Sequence, residues 1–161
     1  MIIVLLVVLA IAMYLAWAYL HELAHLHAAR KIVGVKYHRI VPWPHWHLGR
    51  FYWARVHYDY DRWPTAREQA WISFAPRYAN LLAVVLFPLA SFLPGWWFWT
   101  WSIAWGAGLV DLWSGSTGIS KVHDLRRTAH GWGVSPWVLR IGGFILIAVS
   151  VVTWAGIRWG S

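Results

Sequence analysis

The first twenty residues, Met1 to Leu20, contain no charged side chain, and no other feature narrows the possible folds as much. As a helix that run is about 30 Å long, the thickness of the hydrocarbon core of a bilayer. The rest of the chain agrees, with 60% of its 161 residues apolar and only 12% charged, about half the charged share of a soluble domain. The sequence therefore predicts an integral membrane protein. No basic region precedes the apolar run, and a helix-forming stretch from His21 to Lys31 continues straight out of it, so the segment is expected to stay as a transmembrane helix over about 2–33 and not to be cleaved as a signal peptide.

Three further apolar segments follow. The second is expected over about 65–93, opened by Thr65 and Glu68 at capping-box spacing and stopped by Pro94-Gly95. The third is expected over 96–113 and the fourth over 137–157, with Gly115, Gly118, Gly131, Gly133 and Pro136 marking the connection between them. Between the first two helices, Val35–Val41 and Arg50–Tyr58 are rich in β-branched and aromatic residues, and Pro42-Trp43-Pro44 joins them. They read as a short β-hairpin, over about 35–58, at the membrane surface. The expected fold is thus an all-α polytopic membrane protein of about four transmembrane helices with one hairpin. Residues 1–161 form a single membrane-embedded domain, with no room for an appended module of about 90 residues.

A net charge of +8 would suggest nucleic acid as partner for a soluble protein. Here twelve of the fourteen basic residues fall between Arg30 and Arg67 or between Lys121 and Arg140, in the connections between apolar segments. That is the distribution of cytoplasmic loops, so the partner is the lipid bilayer and no nucleic acid is expected. With those loops inside, the chain is multi-pass with both termini outside. Trp96, Trp97, Trp99 and Trp101, then Trp154 and Trp159, fall at the outer ends of segments three and four, where aromatic belts sit. The absence of cysteine excludes disulfides and thiolate metal sites.

At the inner end of the first helix lies His21-Glu22-Leu23-Ala24-His25, an HExxH pattern. Residues four apart on a helix differ by about 40° in azimuth and about 6 Å in rise, so both imidazoles can reach one ion. Glu22 sits about 100° round from His21, where it can take a proton from water activated by the metal. With nine histidines and two glutamates in the chain, chance would produce this pattern on the order of 0.01 times.

A catalytic zinc site usually takes three protein ligands, so a third must come from elsewhere. Asp111, at the inner end of segment three, lies at the same depth as His21 and His25 and is the expected ligand. Its alternative role is an ion pair with Arg77 or Arg140. Asp124 is the runner-up ligand, although it lies in Lys121–Arg127, which reads as a basic amphipathic loop where a solvated salt bridge is the ordinary outcome. Asn80, a polar amide in the inner part of segment two, either bonds a neighbouring helix or holds an extended peptide near the metal. His27 falls off the ligand face. His38, His45, His47, His57 and His130 have no ligand spacing.

The stretch from His21 to Ile40 resembles the first motif of the site-2 protease family of intramembrane zinc metalloproteases, including the Ala29-Arg30 and Gly34-Val35 that follow the histidines. Thr65 to Leu82 is similar to that family's capped helix start and its Ala-Gly-Pro-x-x-Asn-Leu core, with Ala75 directly before Pro76 and no Gly between them. The resemblance covers Ala16 to Leu93. At the positions of the family's third motif, this chain has Ala104, Ala107, Val110 and Leu112 around Asp111.

The resemblance implies a Zn²⁺ cofactor with His21, His25 and Asp111 as ligands, Glu22 as general base, and Asn80 as a substrate-positioning or carbonyl-polarising group. It implies a zinc-dependent endopeptidase that hydrolyses a peptide bond in or near a membrane span of a substrate protein, from a site toward the cytoplasmic side. A strand edge of the hairpin would capture the unwound substrate segment. Two other classes compete: a proteolytically inactive metal-binding membrane protein that binds membrane segments, and a basic scaffold that binds anionic lipid.

Overall fold

A computed structural model describes residues 2–47, 50–117 and 123–160. Gly118 and Lys121, read above as parts of a connection, lie outside the described residues. The first helix, α1, runs from Ile2 to Ile32. Its N-terminal part presents Ile2, Ile3, Val4, Leu5, Val7, Val8 and Ile11 to the surroundings. The protein packs against α1 from Met13 and Tyr14 onward, most closely along a stripe of residues four apart: Trp17, His21, His25 and Ala29, of which Trp17, His25 and Ala29 are buried.

Gly34, at φ +77°, turns the chain out of α1. A side chain there would collide with the Asp61 carboxylate, and the Asp61 amide donates to the Gly34 carbonyl at 3.2 Å, closing the base of the hairpin. The hairpin is longer and more divided than its sequence suggests. Strand β1 (Val35–Val41) pairs antiparallel with β4 (Arg55–Tyr60), Ile40 facing Val56. Beyond them β2 (His45–His47) pairs with β3 (Arg50–Tyr52). Pro42 and Pro44 offer no amide to a ladder, so β1 cannot continue into β2. The expected single strand Arg50–Tyr58 is broken at Trp53-Ala54, where Ala54 turns inward and is buried.

The second apolar segment begins with the capping box read from the sequence: the Thr65 hydroxyl accepts from the Glu68 amide, and Glu68 accepts from the Thr65 amide. Arg62 adds a two-pronged contact to Glu68, at 2.6 and 2.9 Å. The segment is not one helix. It consists of α2 (Ala66–Phe74), α3 (Pro76–Leu86) and a 3-10 turn (Phe87–Phe92). The breaks fall at Pro76 and Pro88, each of which deprives the carbonyl four residues earlier of its helical donor. Both stranded carbonyls are taken up by side chains of other helices. Ser150 donates to Val84 O at 3.0 Å, and His25 meets Ile72 O.

Helix α4 spans Gly95–Thr117, α5 spans His123–Trp132, and α6 spans Pro136–Trp159, with Ser135 as N-cap. The α5 stretch, read from sequence as a loop, is helical because Leu125, Thr128 and Ala129 form a buried stripe against α2. Gly131 lets the two helices touch: a Cβ there would meet the Ala70 Cβ at 2.6 Å. Among the described residues the core has three parts, one of them formed by Ala29, Val33 and Ile72 beneath the hairpin's Tyr58 and Tyr60. Val84, Phe87, Leu109 and Leu112 join α3, the 3-10 turn and α4, with Leu146, Ile147 and Trp154 of α6 against them. Trp17, Ala83 and Ala107 join α1, α3 and α4.

Among the described residues, three helices are long and apolar enough to cross a membrane: Ile2–Ile32, the broken helix Ala66–Phe92, and Pro136–Trp159. The chain is therefore a mostly helical protein of membrane character with a small antiparallel sheet. Helix α4 falls short in hydropathy although it is 23 residues long. Its tryptophans and glycines count as weakly hydrophilic on that scale, and Asp111 lowers the mean further.

Candidate metal centre

The one-turn spacing of HExxH brings the His21 and His25 rings to 5.1 Å between centroids, inclined at 71°. His25 is buried, and His21 is 17% exposed.

Each ring is oriented by a partner on its Nδ1. His21 Nδ1 lies 3.0 Å from Asp111 Oδ2, and His25 Nδ1 lies 2.8 Å from the carbonyl oxygen of Ile72. Both partners accept, so each ring donates from Nδ1, and in a neutral imidazole that leaves Nε2 with a lone pair. This is the arrangement of metal-ligating histidines, which give their second nitrogen to a carboxylate or a carbonyl.

A candidate third donor lies on α5. Asp124 Oδ2 is 3.3 Å from His25 Nε2, and His21, His25 and Asp124 each offer one ligand atom, all within 4.8 Å of one another. Two imidazole nitrogens and one carboxylate oxygen are the donors zinc takes in catalytic sites.

Asp111, the carboxylate expected in that position, stands behind His21. Its Oδ2 accepts from His21 Nδ1, from Asn80 Nδ2 at 3.0 Å, and faces Arg77 Nη1 at 3.9 Å. Asp111 and Asp124 both lie against the histidines of α1, and the rotation of α4 turns Asp111 toward Nδ1 of His21. The Arg77 pairing considered for Asp111 is present together with the histidine contact.

Asn80 is buried at 1% exposure, and both ends of its amide are used within the protein. Its Oδ1 accepts from Trp17 Nε1 at 3.1 Å while its Nδ2 donates to Asp111. Of the two roles read from the sequence, this geometry corresponds to the interhelical bond. A closed circuit results, from Trp17 on α1 through Asn80 on α3 and Asp111 on α4 back to His21, one turn along α1.

Glu22, the expected general base, is half-buried beside the histidines. Its Oε2 accepts from the Val56 amide at 2.8 Å. Tyr58, on the same strand, has its hydroxyl pushed up by burial and by Tyr60, with Asp124 and Glu22 adding to the effect, and so stays neutral. Sequence reading assigned nothing to Trp17, Ile72, Val56 or Tyr58. Only Ile72 carried a local signal, being four residues before Pro76.

Taken with neutral imidazoles, the cluster holds three carboxylates, Glu22, Asp111 and Asp124, against one guanidinium, Arg77. The surplus of two negative charges equals the charge of one divalent cation, and at membrane depth an unbalanced surplus is costly. Comparison with protein-family models, with curated proteins and with solved structures finds no match to this chain, so the site rests on its own geometry.

Proposed function

We propose that the protein is a zinc-dependent endopeptidase that hydrolyses a peptide bond in or near a transmembrane segment of another membrane protein. The observation that carries this reading is the set of three ligand atoms from His21, His25 and Asp124 within 4.8 Å, with Glu22 next to them on the same helix. Zinc, when bound there, supplies a Lewis acid that acidifies water and polarises a carbonyl.

The chain's own residues do the rest. His21 and His25 present Nε2 because Asp111 and the Ile72 carbonyl hold their Nδ1 protons. Glu22 takes the proton of the attacking water and returns it to the leaving amine, so the carboxylate ends the cycle as it began. Arg77 offsets part of the negative charge of Asp111 and Asp124. In this reading α4 is the fourth span, both termini face outward, and the metal end of α1 lies near the cytoplasmic surface, which brings water to the site. The outer edge of the hairpin receives the unwound substrate segment as an added strand.

A second reading has one observation in its favour. Protonating both imidazoles would balance the same charges without a metal, leaving two histidine–aspartate pairs, His21 with Asp111 and His25 with Asp124. Such a protein binds membrane segments without cutting them.

Metal analysis of detergent-purified protein and cleavage of a membrane-spanning substrate in proteoliposomes separate the two. The wild type is expected to hold about one zinc per chain, and Glu22→Gln to keep that zinc while losing cleavage by about 10²- to 10⁴-fold. A zinc-free wild type, or full cleavage by Glu22→Gln, would overturn the peptidase reading.

A further inference from the structure

Glu22 and Val56 are 34 residues apart, on different elements, yet the Val56 amide donates to Glu22 Oε2 at 2.8 Å. Among the described residues no other hydrogen bond reaches Glu22. Val56 faces Ile40 across the β1–β4 ladder, and its N–H is turned away from β1 toward α1. In an antiparallel pair, alternate residues point their amides outward in this way. The amide of a strand edge is therefore spent on a helix side chain.

The strand is not free to drift from this position. Ala54 is buried just before it. Tyr58 and Tyr60 just after it pack on Ala29, Val33 and Ile72, and so on both α1 and α2.

We infer that β4 is a positioning element for the general base: the docked hairpin, through the Val56 amide, sets the direction in which the Glu22 carboxylate points. This rests on the peptidase reading above for its catalytic consequence, whereas the tether itself does not. With Oε2 held, Oε1 is the oxygen left to take a proton. Side-chain rotation would otherwise spread the carboxylate over several rotamers, and one charge-assisted hydrogen bond from a fixed backbone removes that freedom. The coupling runs both ways. A segment that adds to the hairpin or lifts it alters the base, and the state of the base alters how firmly the hairpin is docked. The hairpin thus links engagement of an extended segment to readiness of the site.

The tether is tested first by hydrogen exchange of the Val56 amide in the purified full chain, compared across wild type, Glu22→Ala and Glu22→Gln. Glu22→Ala removes the acceptor and is expected to speed exchange at Val56 by tenfold or more. Glu22→Gln retains a carbonyl oxygen at the same reach and is expected to stay within threefold of wild type. Equal exchange in wild type and Glu22→Ala would overturn the inference.

The second arm replaces Val56 by its α-hydroxy acid analogue during cell-free synthesis, exchanging the N–H for an oxygen with the side chain intact. Zinc content and KM are expected to hold while kcat falls about tenfold, and Val56→Ala, which keeps the amide, is expected to match wild type. An unchanged kcat in the ester protein, or an equal loss in Val56→Ala, would overturn the positioning role. A wild type that cuts no substrate would remove the peptidase reading alone, and exchange would then decide the tether.

Discussion

His25 is oriented by the carbonyl of Ile72, 2.8 Å from its Nδ1. Four residues on, Pro76 begins α3 without an amide that would otherwise claim that carbonyl in a helical hydrogen bond. The break in the second apolar segment and the orientation of His25 are therefore one feature. An unbroken helix would offer His25 an acceptor already in use.

Pro76→Ala restores the missing donor. The Ile72 carbonyl would then turn toward the new backbone amide four residues on and hold His25 less firmly. Zinc affinity is expected to fall about tenfold, the low end of what loss of a histidine's outer partner does. Competition with a chelating dye checks it, and unchanged affinity would show that the carbonyl serves both donors.

The two aspartates should separate cleanly. Asp124→Ala removes a donor from the ligand set and is expected to abolish stoichiometric zinc. Asp111→Ala removes only the partner of His21 Nδ1 and is expected to weaken zinc about 10- to 100-fold, leaving a measurable site. Metal content after dialysis against a graded zinc buffer reads both. Zinc kept by Asp124→Ala and lost in Asp111→Ala would reverse the roles assigned to them.

Ser150→Ala tests the other proline break. Its hydroxyl satisfies the Val84 carbonyl stranded by Pro88, and Ser150 is 2% exposed. Loss of that bond leaves a buried acceptor unpaired, a destabilisation of about 1–3 kcal/mol. A lower unfolding temperature in detergent with unchanged zinc content is the expected pair of results. A fall in zinc would mean that the α3–α6 contact reaches the metal centre.

Gly108→Ala tests the contact that carries Trp17 to Asn80. A Cβ at Gly108 would lie 2.6 Å from both the Ala83 Cβ and the Trp17 ring, and overpacking of this kind costs about 1–3 kcal/mol. Displacing Trp17 would also loosen Asn80 and, through it, Asp111. Gly142→Ala is the control, since nothing lies within 4 Å of a Cβ there. Gly108→Ala is expected to lower both stability and zinc affinity, and Gly142→Ala neither.

Features set by neighbours within about one helical turn could be read from the residues alone. The apolar run, the one-turn spacing of His21 and His25, and the Thr65–Glu68 capping box depend on contacts no more than four positions apart, and the structure has each of them. The prolines at 76 and 88 carried an equally local signal, and the helix breaks follow from it. The division of the hairpin at Trp53-Ala54 and the helical form of His123–Trp132 were less legible. Both depend on a surface to pack against, and for α5 that surface is α2, where Thr128 meets the Ala70 carbonyl 58 residues away.

By itself, then, the sequence determined a membrane-embedded chain with two histidines and a glutamate gathered on one helix, because a helix's periodicity converts spacing into direction. Which carboxylate joins the histidines, which nitrogen each ring offers, and what holds Glu22 were decided only by the tertiary structure. Those outcomes turn on the rotation of α4, the docking of α5 and the placement of β4, over separations of 34 to 99 residues. Charge patterning ranks side chains by depth in the bilayer, and depth says nothing about azimuth. Packing at Gly108, Gly131 and Ile72 settles the azimuth, and with it which histidine nitrogen each of Asp111 and Asp124 meets.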